Sequence, residues 1–254
     1  MATIPVQSSA QGLSGTQLTF GATTAQVGDN SSTTVELRGA SAGHFGRGVS
    51  LQFDWGFIGN DDTVGSVSDT DGFKSLRLLT AWDINTALTL AASASYIKIE
   101  REETDSLALH MLWHTNTTRV EAIAEAFEAP TERATYFGTS AITQLPTGPD
   151  IQLFARFDRI DGAGLDRDSA ALGLRHAHSP KVGLSTAITH DDLSGQTSEV
   201  RLGVDYTLST GRTARAFVAA GDDSASAGFT LRYAIGGTRT EPLFDLSLFS
   251  AAFR

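Results

Sequence analysis

Histidines and aspartates are the first residues of this chain to test for chemistry, and none of their spacings forms a compact site. His110 and His114 would share a strand face but lie about 13 Å apart, too far for one metal ion. His176 and His178, about 7 Å apart on a strand, make a weak pair of metal ligands. Residues 69–72 (Asp-Thr-Asp-Gly) match the start of a calcium loop but lack its later glutamate. We therefore expect no dedicated metal site and no cofactor.

Catalytic patterns are equally weak. The chain has no Gly-x-Ser-x-Gly elbow, and its paired carboxylates occur in polar stretches or beside arginines, where solvated or ion-paired roles are the default. It has no cysteine, which excludes disulfides and thiolate metal sites. The sequence predicts a protein that is not an enzyme.

The charged residues instead follow a two-residue rhythm. Between residues 199 and 208 the even positions are Val, Leu, Val, Tyr and Leu, whereas the odd ones are Glu, Arg, Gly, Asp and Thr. Residues 49–57 alternate in the same way, with Val, Leu, Phe, Trp and Phe against Ser, Gln, Asp and Gly. Successive side chains of a strand point to opposite faces, so each segment has one apolar face and one polar face.

Two kinds of connection separate these segments and are taken in turn along the chain. One kind is tight and poor in acid, at residues 83–86, 115–117, 146–149, 179–180 and 209–211. The other is acidic and often longer, at residues 59–73, 100–105, 161–168, 191–195 and 222–224. Segments of about 9–12 residues with such loops indicate an all-β fold, an antiparallel up-and-down transmembrane β-barrel of about 12–14 strands.

The predicted domain organisation is one barrel. Residues 1–14 are a flexible lead-in, and residues 15–254 form a single β-barrel domain in which residues 243–254 fit either a last strand or a short helix. A net charge of −10 without a basic cluster argues against nucleic-acid binding. The first nine residues lack the basic and apolar regions of a signal peptide, so we expect a mature form with an added Met.

The polar face of the predicted strands carries fifteen charges, whereas the apolar face is nearly free of charge. A soluble β-sandwich or a tube or shell subunit would show the same alternation, but charges on so many strands favour a lumen. The charged walls of that lumen either line a water pore or stabilise a filled barrel. The residues predicted to line it are Glu36, Arg38, Asp54, Arg77, Arg119, Glu121, Glu125, Arg156, Asp158, Arg175, Glu199, Arg201, Asp205, Arg215 and Arg232.

From residue 15 to about residue 250 the chain resembles bacterial outer-membrane β-barrel proteins of the broad porin and autotransporter-barrel class. The resemblance rests on the alternation, on the two kinds of connection and on aromatic residues near predicted strand ends, where an interfacial belt would lie. These aromatics are Trp55, Phe57, Trp82, Tyr96, Trp113, Tyr206 and Tyr233. Such proteins commonly end on an aromatic residue, whereas here Phe253 precedes the final Arg254.

The resemblance implies a passive, porin-like channel for small polar solutes in the bacterial outer membrane, with membrane lipid as a partner and a monomer favoured. A first alternative is an autotransporter-type translocator or anchor barrel, in which residues 1–30 occupy the lumen. A second alternative is a soluble structural subunit that self-assembles by pairing its strand edges.

Overall fold

A computed structural model describes residues 15–28, 30–45, 48–64, 67–99, 102–128, 133–145, 150–162, 166–192 and 197–235. Within these ranges no helix is long and apolar enough to cross a membrane. The chain forms fourteen strands: β1 (Gly15–Val27), β2 (Asn30–His44), β3 (Val49–Val64), β4 (Val67–Asp83), β5 (Leu88–Ile99), β6 (Glu102–His114), β7 (Thr118–Glu128), β8 (Arg133–Gln144), β9 (Ile151–Gly162), β10 (Arg167–Ala177), β11 (Val182–Asp191), β12 (Thr197–Ser209), β13 (Arg212–Gly221) and β14 (Ser224–Ile235).

The sheet closes on itself. Each strand pairs antiparallel with the strands before and after it, and β1 pairs with β14 from Thr16 opposite Ile235 to Val27 opposite Ser224. The predicted up-and-down barrel is confirmed, with a strand count at the upper end of the predicted range. Because closure gives every one of these strands two neighbours, the fold offers no edge in the described sheet for self-assembly by strand pairing.

The acidic connections are shorter than the sequence predicts. Residues 59–73 are not a loop, because β3 and β4 continue through them until Val64 lies opposite Val67. Likewise β6 begins at Glu102, and the connection after β9 occupies only residues 163–166. Backbone hydrogen bonds hold these segments as strands whatever their side chains. Beyond the apolar part of the barrel both faces are polar, and the alternation that identifies a strand in the sequence disappears there.

The tight turns predicted at residues 83–86, 115–117, 179–180 and 209–211 lie between consecutive strands at one end of the barrel, which we call the tight-turn end. Residues 146–149 lie outside the described residues. The opposite, acidic end carries connections such as residues 222–223. At the tight-turn end, Gly211 has a φ of 76°, the left-handed conformation that a two-residue hairpin turn requires.

The position of the first strand also changes the picture of the N-terminus. Gly15–Val27 is strand β1, paired on both sides, so this part of the proposed lumenal segment 1–30 belongs to the wall. Residues 1–14 and 243–254 lie outside the described residues.

Alternation divides the wall into an outer apolar face and an inner polar face. Leu107 and Leu109, both on β6, are each 70% exposed, and large apolar side chains on all the strands but the short-chained β7 are exposed in the same way. His110, which lies between Leu109 and Met111 in the same strand, faces inward and is buried. An apolar exterior around a polar interior is the reverse of a water-soluble domain and is the arrangement that lipid requires.

Charges on the outer face lie only at its two borders in the described strands. Lys74, Asp105 and Arg159 mark the acidic border, and His176 and Arg212 mark the tight-turn border. On β6 the intervening outward residues are Leu107, Leu109, Met111 and Trp113. Four outward residues on a strand tilted by about 40° cover about 20 Å, close to the roughly 25 Å apolar band of outer-membrane barrels.

Aromatic side chains gather near the tight-turn border, where Trp82 and Trp113 lie at the ends of their strands and Tyr206 and Tyr233 lie close to theirs. Trp55 was expected at a strand end but lies near the middle of β3, because β3 continues to Val64. Its indole covers Gly39 on β2, where a Cβ atom would come within 2.3 Å of the ring. Gly39 therefore makes room for a large ring on the outer surface.

Candidate functional site: a charged lumen

The fifteen charged residues singled out in the sequence lie on one face of the closed sheet, the inner one. Register shows this directly, since Arg77 lies opposite Asp54, and Arg215 opposite Asp205. Fourteen of the fifteen line an interior cavity of about 860 Å³, and Asp205 lies behind its arginine partners: the fourteen are Glu36, Arg38, Asp54, Arg77, Arg119, Glu121, Glu125, Arg156, Asp158, Arg175, Glu199, Arg201, Arg215 and Arg232.

The cavity extends along most of the barrel. Gln17 on β1 and Gln152 on β9 line it near the tight-turn end, and Ser32 on β2 and Asp191 on β11 line it near the acidic end. It is also off-centre. No described residue of β6 lines it, and the inward side chains of that strand from Ser106 to His114 are buried.

Apolar side chains fill the inner face from β3 to β9, a region we call the filled wall. Tyr136 and Leu79 are fully buried there although they face inward. Two clusters make it up: Ile58, Phe73, Ile97, Ala108, Ile123, Phe127, Ala134, Tyr136 and Ile160 in one, and Leu79, Ala81, Ala91 and Leu112 in the other. The filled wall displaces the cavity toward β10–β14, β1 and β2, which we call the open side. Asp54, Arg77, Arg119, Glu121 and Glu125 of the filled wall still border the cavity.

Charges within the filled wall are held by dense hydrogen bonding. Arg77 places its Nη2 atom 2.5 Å from Asp54 Oδ2, and the Gln52 amide donates to both oxygens of the same carboxylate. Asp158 accepts hydrogen bonds from Arg156 and, at 2.6 Å, from the Tyr136 hydroxyl. Charges removed from water need such partners, so these groups brace the wall.

A three-residue charge cluster spans the open side. Asp205 on β12 receives Arg215 from the adjacent β13, with 2.5 Å between Nε and Oδ1, and Arg175 from β10, with 3.2 Å between Nε and Oδ2. Arg175 reaches across β11 at Gly183, where a Cβ atom would meet Arg175 and Asp205 at 3.5 Å. One carboxylate thus serves two guanidinium groups, which leaves the cluster with a net positive charge.

A second group of arginines lies beside this cluster. Arg38 on β2 and Arg232 on β14 flank Thr19 on β1 at the same register, and Arg215 faces Thr230, two residues from Arg232. Arg38 pairs with Glu36 on its own strand at 2.9 Å. Together Arg38, Arg232, Arg215 and Arg175 form an arc of guanidinium groups across seven consecutive strands, which we call the arginine arc.

Aromatic rings on the inner face lie against glycines. Phe217 and Phe154 would meet Cβ atoms at Gly228 and Gly173 within 2.6 and 2.4 Å, respectively. The guanidinium carbon of Arg201 lies 4.5 Å from the Phe217 ring centroid, a cation–π contact. The glycines let both rings lie flat on the wall, so the rings add apolar surface without closing the lumen.

Two cavity-lining charges were missed in the sequence. Arg167 at the start of β10 pairs with Asp191 at the end of β11, and the Arg167 Nε atom lies 3.0 Å from Asp191 Oδ1. Both fell inside stretches that the sequence predicts as acidic loops. Arg167 lies two residues before inward-facing Ser169, and Asp191 lies two residues after inward-facing Thr189. This two-residue spacing is the signal that would have placed both charges on the strands.

The histidines take structural positions. His110 Nε2 lies 2.8 Å from Ser93 Oγ in the buried part of the wall, and His114 is buried as well. The rings of His176 and His178 lie 6.3 Å apart at the tight-turn end. The described residues contain no group of three or more potential metal ligands, and residues 69–72 lie in the strand β4, not in a loop.

Comparison with known proteins supports the architecture. No protein-family model and no curated protein matches the chain. Among solved structures, the barrel is similar to the Acinetobacter baumannii outer membrane protein Omp33, with a TM-score of 0.55 and 9% identity over 87% of this chain and 97% of that one. It is also similar to the translocator domain of the autotransporter NalP from Neisseria meningitidis, with a TM-score of 0.52 and 12% identity over 90% of each chain.

A third similar structure is Pseudomonas putida OprB, with a TM-score of 0.50 and 10% identity over 87% of this chain and 92% of that one. At such identities a likeness shows the fold and no more. The chain therefore has the fold of the outer-membrane β-barrel proteins that its sequence resembles.

Proposed function

We propose that this protein is a passive channel for small polar solutes in the bacterial outer membrane. One observation carries the proposal: a cavity lined by ionised side chains runs along a closed barrel whose outer face is apolar between two charged borders. Outer-membrane lipid covers that apolar face. Because a single chain closes the sheet, a monomer suffices for the channel.

Transport in this proposal is diffusion. A cavity of about 860 Å³ has room for small solutes and is far too small for a folded protein. Fixed charges within reach of every passing solute replace part of its hydration and discriminate among solutes by charge.

Catalysis is not part of the proposal. Serine and histidine side chains meet at Ser93–His110 in the buried wall, at Ser50–His44 near the tight-turn end and at Ser198–His190 near the acidic end. Each is a two-residue contact between neighbouring strands. The Ser93–His110 pair lies away from the cavity, and the described residues show no carboxylate hydrogen-bonded to His44 or His190. The lumenal carboxylates are held by arginines and hydroxyl groups, as Asp158 is by Arg156 and Tyr136. Such groups orient charge and perform no proton transfer on a solute.

Planar-bilayer recording tests the channel. Purified full-length protein should need detergent, should migrate differently on a gel before and after boiling, and should then insert with stepwise conductance. Protein that shows the gel shift but gives no conductance would contradict a channel. Protein that stays fully soluble as a monomer without detergent would contradict the membrane location.

A truncated form distinguishes the translocator alternative. Deletion of residues 2–14 leaves strand β1 intact, because that strand begins at Gly15. A simple channel should keep its conductance after this deletion. A sharp rise would instead indicate that the N-terminal segment occupies the lumen and would favour the translocator or anchor function.

A further inference from the structure

The charged groups of the lumen are unequally accessible. Of the seven carboxylates among the fifteen lumenal residues, Glu121, Glu125, Asp158 and Asp205 are buried, whereas Arg77 is the single buried arginine among eight. Seven carboxylates against eight arginines leave the formal charge of the lumen nearly balanced. The charge on the surface that a solute meets is not balanced. Guanidinium groups dominate it.

Three ion pairs of the open side show the same inequality. Side-chain exposure is 41% for Arg215 and 32% for Arg175, against 7% for the Asp205 that they share. It is 25% for Arg38 against 16% for Glu36. In these pairs the carboxylate lies beneath its arginines, toward the wall. The Arg167–Asp191 pair near the acidic end is the exception, with 14% exposure for Arg167 and 26% for Asp191.

The filled wall does not restore the balance. Arg156 and Asp158 are each 10% exposed, and Asp54 is 18% exposed against 9% for Arg77. Asp54 is the more exposed partner there, but the Gln52 amide and Arg77 already occupy both of its oxygens. Ser106 similarly donates to Glu125 at 2.5 Å. These carboxylates direct their charge into the wall.

We propose that the lumen selects for anions and conducts small solutes that carry a carboxylate or phosphate group, and that the arginine arc sets this preference. The inference rests on the channel function proposed above. Guanidinium stays ionised at every physiological pH and presents paired N–H donors that match the two oxygens of such a group. The four arginines of the arc, spread over seven consecutive strands, provide several of these sites along the open side of the lumen.

The acidic end of the barrel opposes this preference, because Asp61, Asp62, Asp161, Asp222 and Asp223 lie near that mouth. Their negative field reduces the local anion concentration at low salt. At about 1 M salt the Debye length falls to about 3 Å, so the field of the mouth no longer reaches the arginines in the middle of the barrel. Selectivity is therefore measured near that concentration.

The experiment is a reversal-potential measurement in planar bilayers under a KCl gradient. The wild-type channel should favour chloride over potassium by about three- to tenfold. The variants Arg215→Gln and Arg38→Gln should each reduce the ratio, and combining them should bring it near one. Gel migration before and after boiling verifies that each variant is folded.

A matched control is Arg133→Glu. Arg133 lies on the outer face of the acidic border, pairs with Glu128 and is 86% exposed, so the variant changes charge outside the lumen and should leave the ratio unchanged.

Succinate or inorganic phosphate, added at millimolar concentration, should reduce the chloride current, and the two compounds distinguish carboxylate from phosphate recognition.

The outcomes separate the inference from the proposed function. Conductance with a chloride-to-potassium ratio at or below one would overturn the inference and leave the channel standing. A chloride preference that Arg133→Glu abolishes as strongly as the lumenal variants would overturn the role of the arc. Absence of current block by both succinate and phosphate would overturn recognition of these solutes. No conductance at all would contradict the channel itself.

Discussion

The Arg175 guanidinium on β10 reaches the Asp205 carboxylate on β12 across an intervening strand, with 3.2 Å between Nε and Oδ2. The Arg175 side chain can pass over β11 at this point because Gly183 has no side chain. A Cβ atom there would meet both partners at 3.5 Å, ordinary van der Waals contact. A single methyl group therefore fits beneath the ion pair, and a larger side chain does not.

The first prediction concerns that glycine. Gly183→Val should lower the free energy of unfolding by about 1–2 kcal/mol, because it separates a partly exposed ion pair although valine itself favours strands. Gly183→Ala should be neutral or stabilising by about 0.5 kcal/mol, since alanine fits and restricts the unfolded chain. Urea titration of the detergent-folded protein measures both.

A double-mutant cycle with Asp205→Asn supplies the control. If valine acts by separating Arg175 from Asp205, its effect should shrink by about half or more once the carboxylate charge is absent. Fully additive effects of the two substitutions would show that valine destabilises the barrel by another route.

The two-residue period was enough to predict the barrel. In residues 199–208 the structure places Val200, Leu202 and Val204 on the outer face, as the alternation requires. The strand ends near the acidic end were harder to predict. There β3 and β4 extend beyond the apolar band and lose their alternation, although their backbones remain paired. Sequence periodicity reports a difference between two environments, and where both faces are polar there is none to report.

The organisation of the lumen was less predictable. Arg175 and Asp205 are thirty residues apart in sequence, and only the register of three strands brings them together over Gly183. The filled wall did leave a signal, because Ile58, Ile97 and Ile160 occupy positions where alternation calls for polar residues. An apolar residue at an inward position indicates packing inside the barrel, but it does not tell which strands share the packing.

The second prediction tests that filled wall. Tyr136→Phe removes the hydroxyl that donates to Asp158 at 2.6 Å and should lower the free energy of unfolding by about 1–3 kcal/mol, since a buried carboxylate loses a donor. Single-channel conductance should stay the same, because Tyr136 is fully buried and does not line the cavity.

The matched control for this substitution is Tyr233→Phe. Tyr233 lies on the outer face, and its hydroxyl accepts a hydrogen bond from exposed Arg212 at 2.9 Å. This variant should cost only about 0.5 kcal/mol. Equal losses from both variants, or a conductance change in Tyr136→Phe, would contradict a packed wall beside a separate lumen.

The last prediction concerns orientation in the membrane. Strand β13 runs between two turns of two residues, 210–211 at the tight-turn end and 222–223 at the acidic end. Both turns are hydrophilic and both contain an exposed residue, Thr210 in one and Asp223 in the other. Because the chain has no cysteine, Thr210→Cys and Asp223→Cys each introduce a unique thiol at one end of the same strand.

If the acidic end faces the outside of the cell, a membrane-impermeant maleimide added to whole cells should label Asp223→Cys and spare Thr210→Cys. Detergent-solubilised protein should label equally at both positions, which controls for thiol reactivity. Cysteines within residues 59–73 would be less suitable for this test, because those residues are paired in strands β3 and β4 and do not form a loop. Preferential labelling of Thr210→Cys on intact cells would show the opposite orientation, and equal labelling there would contradict a barrel that crosses the membrane along β13.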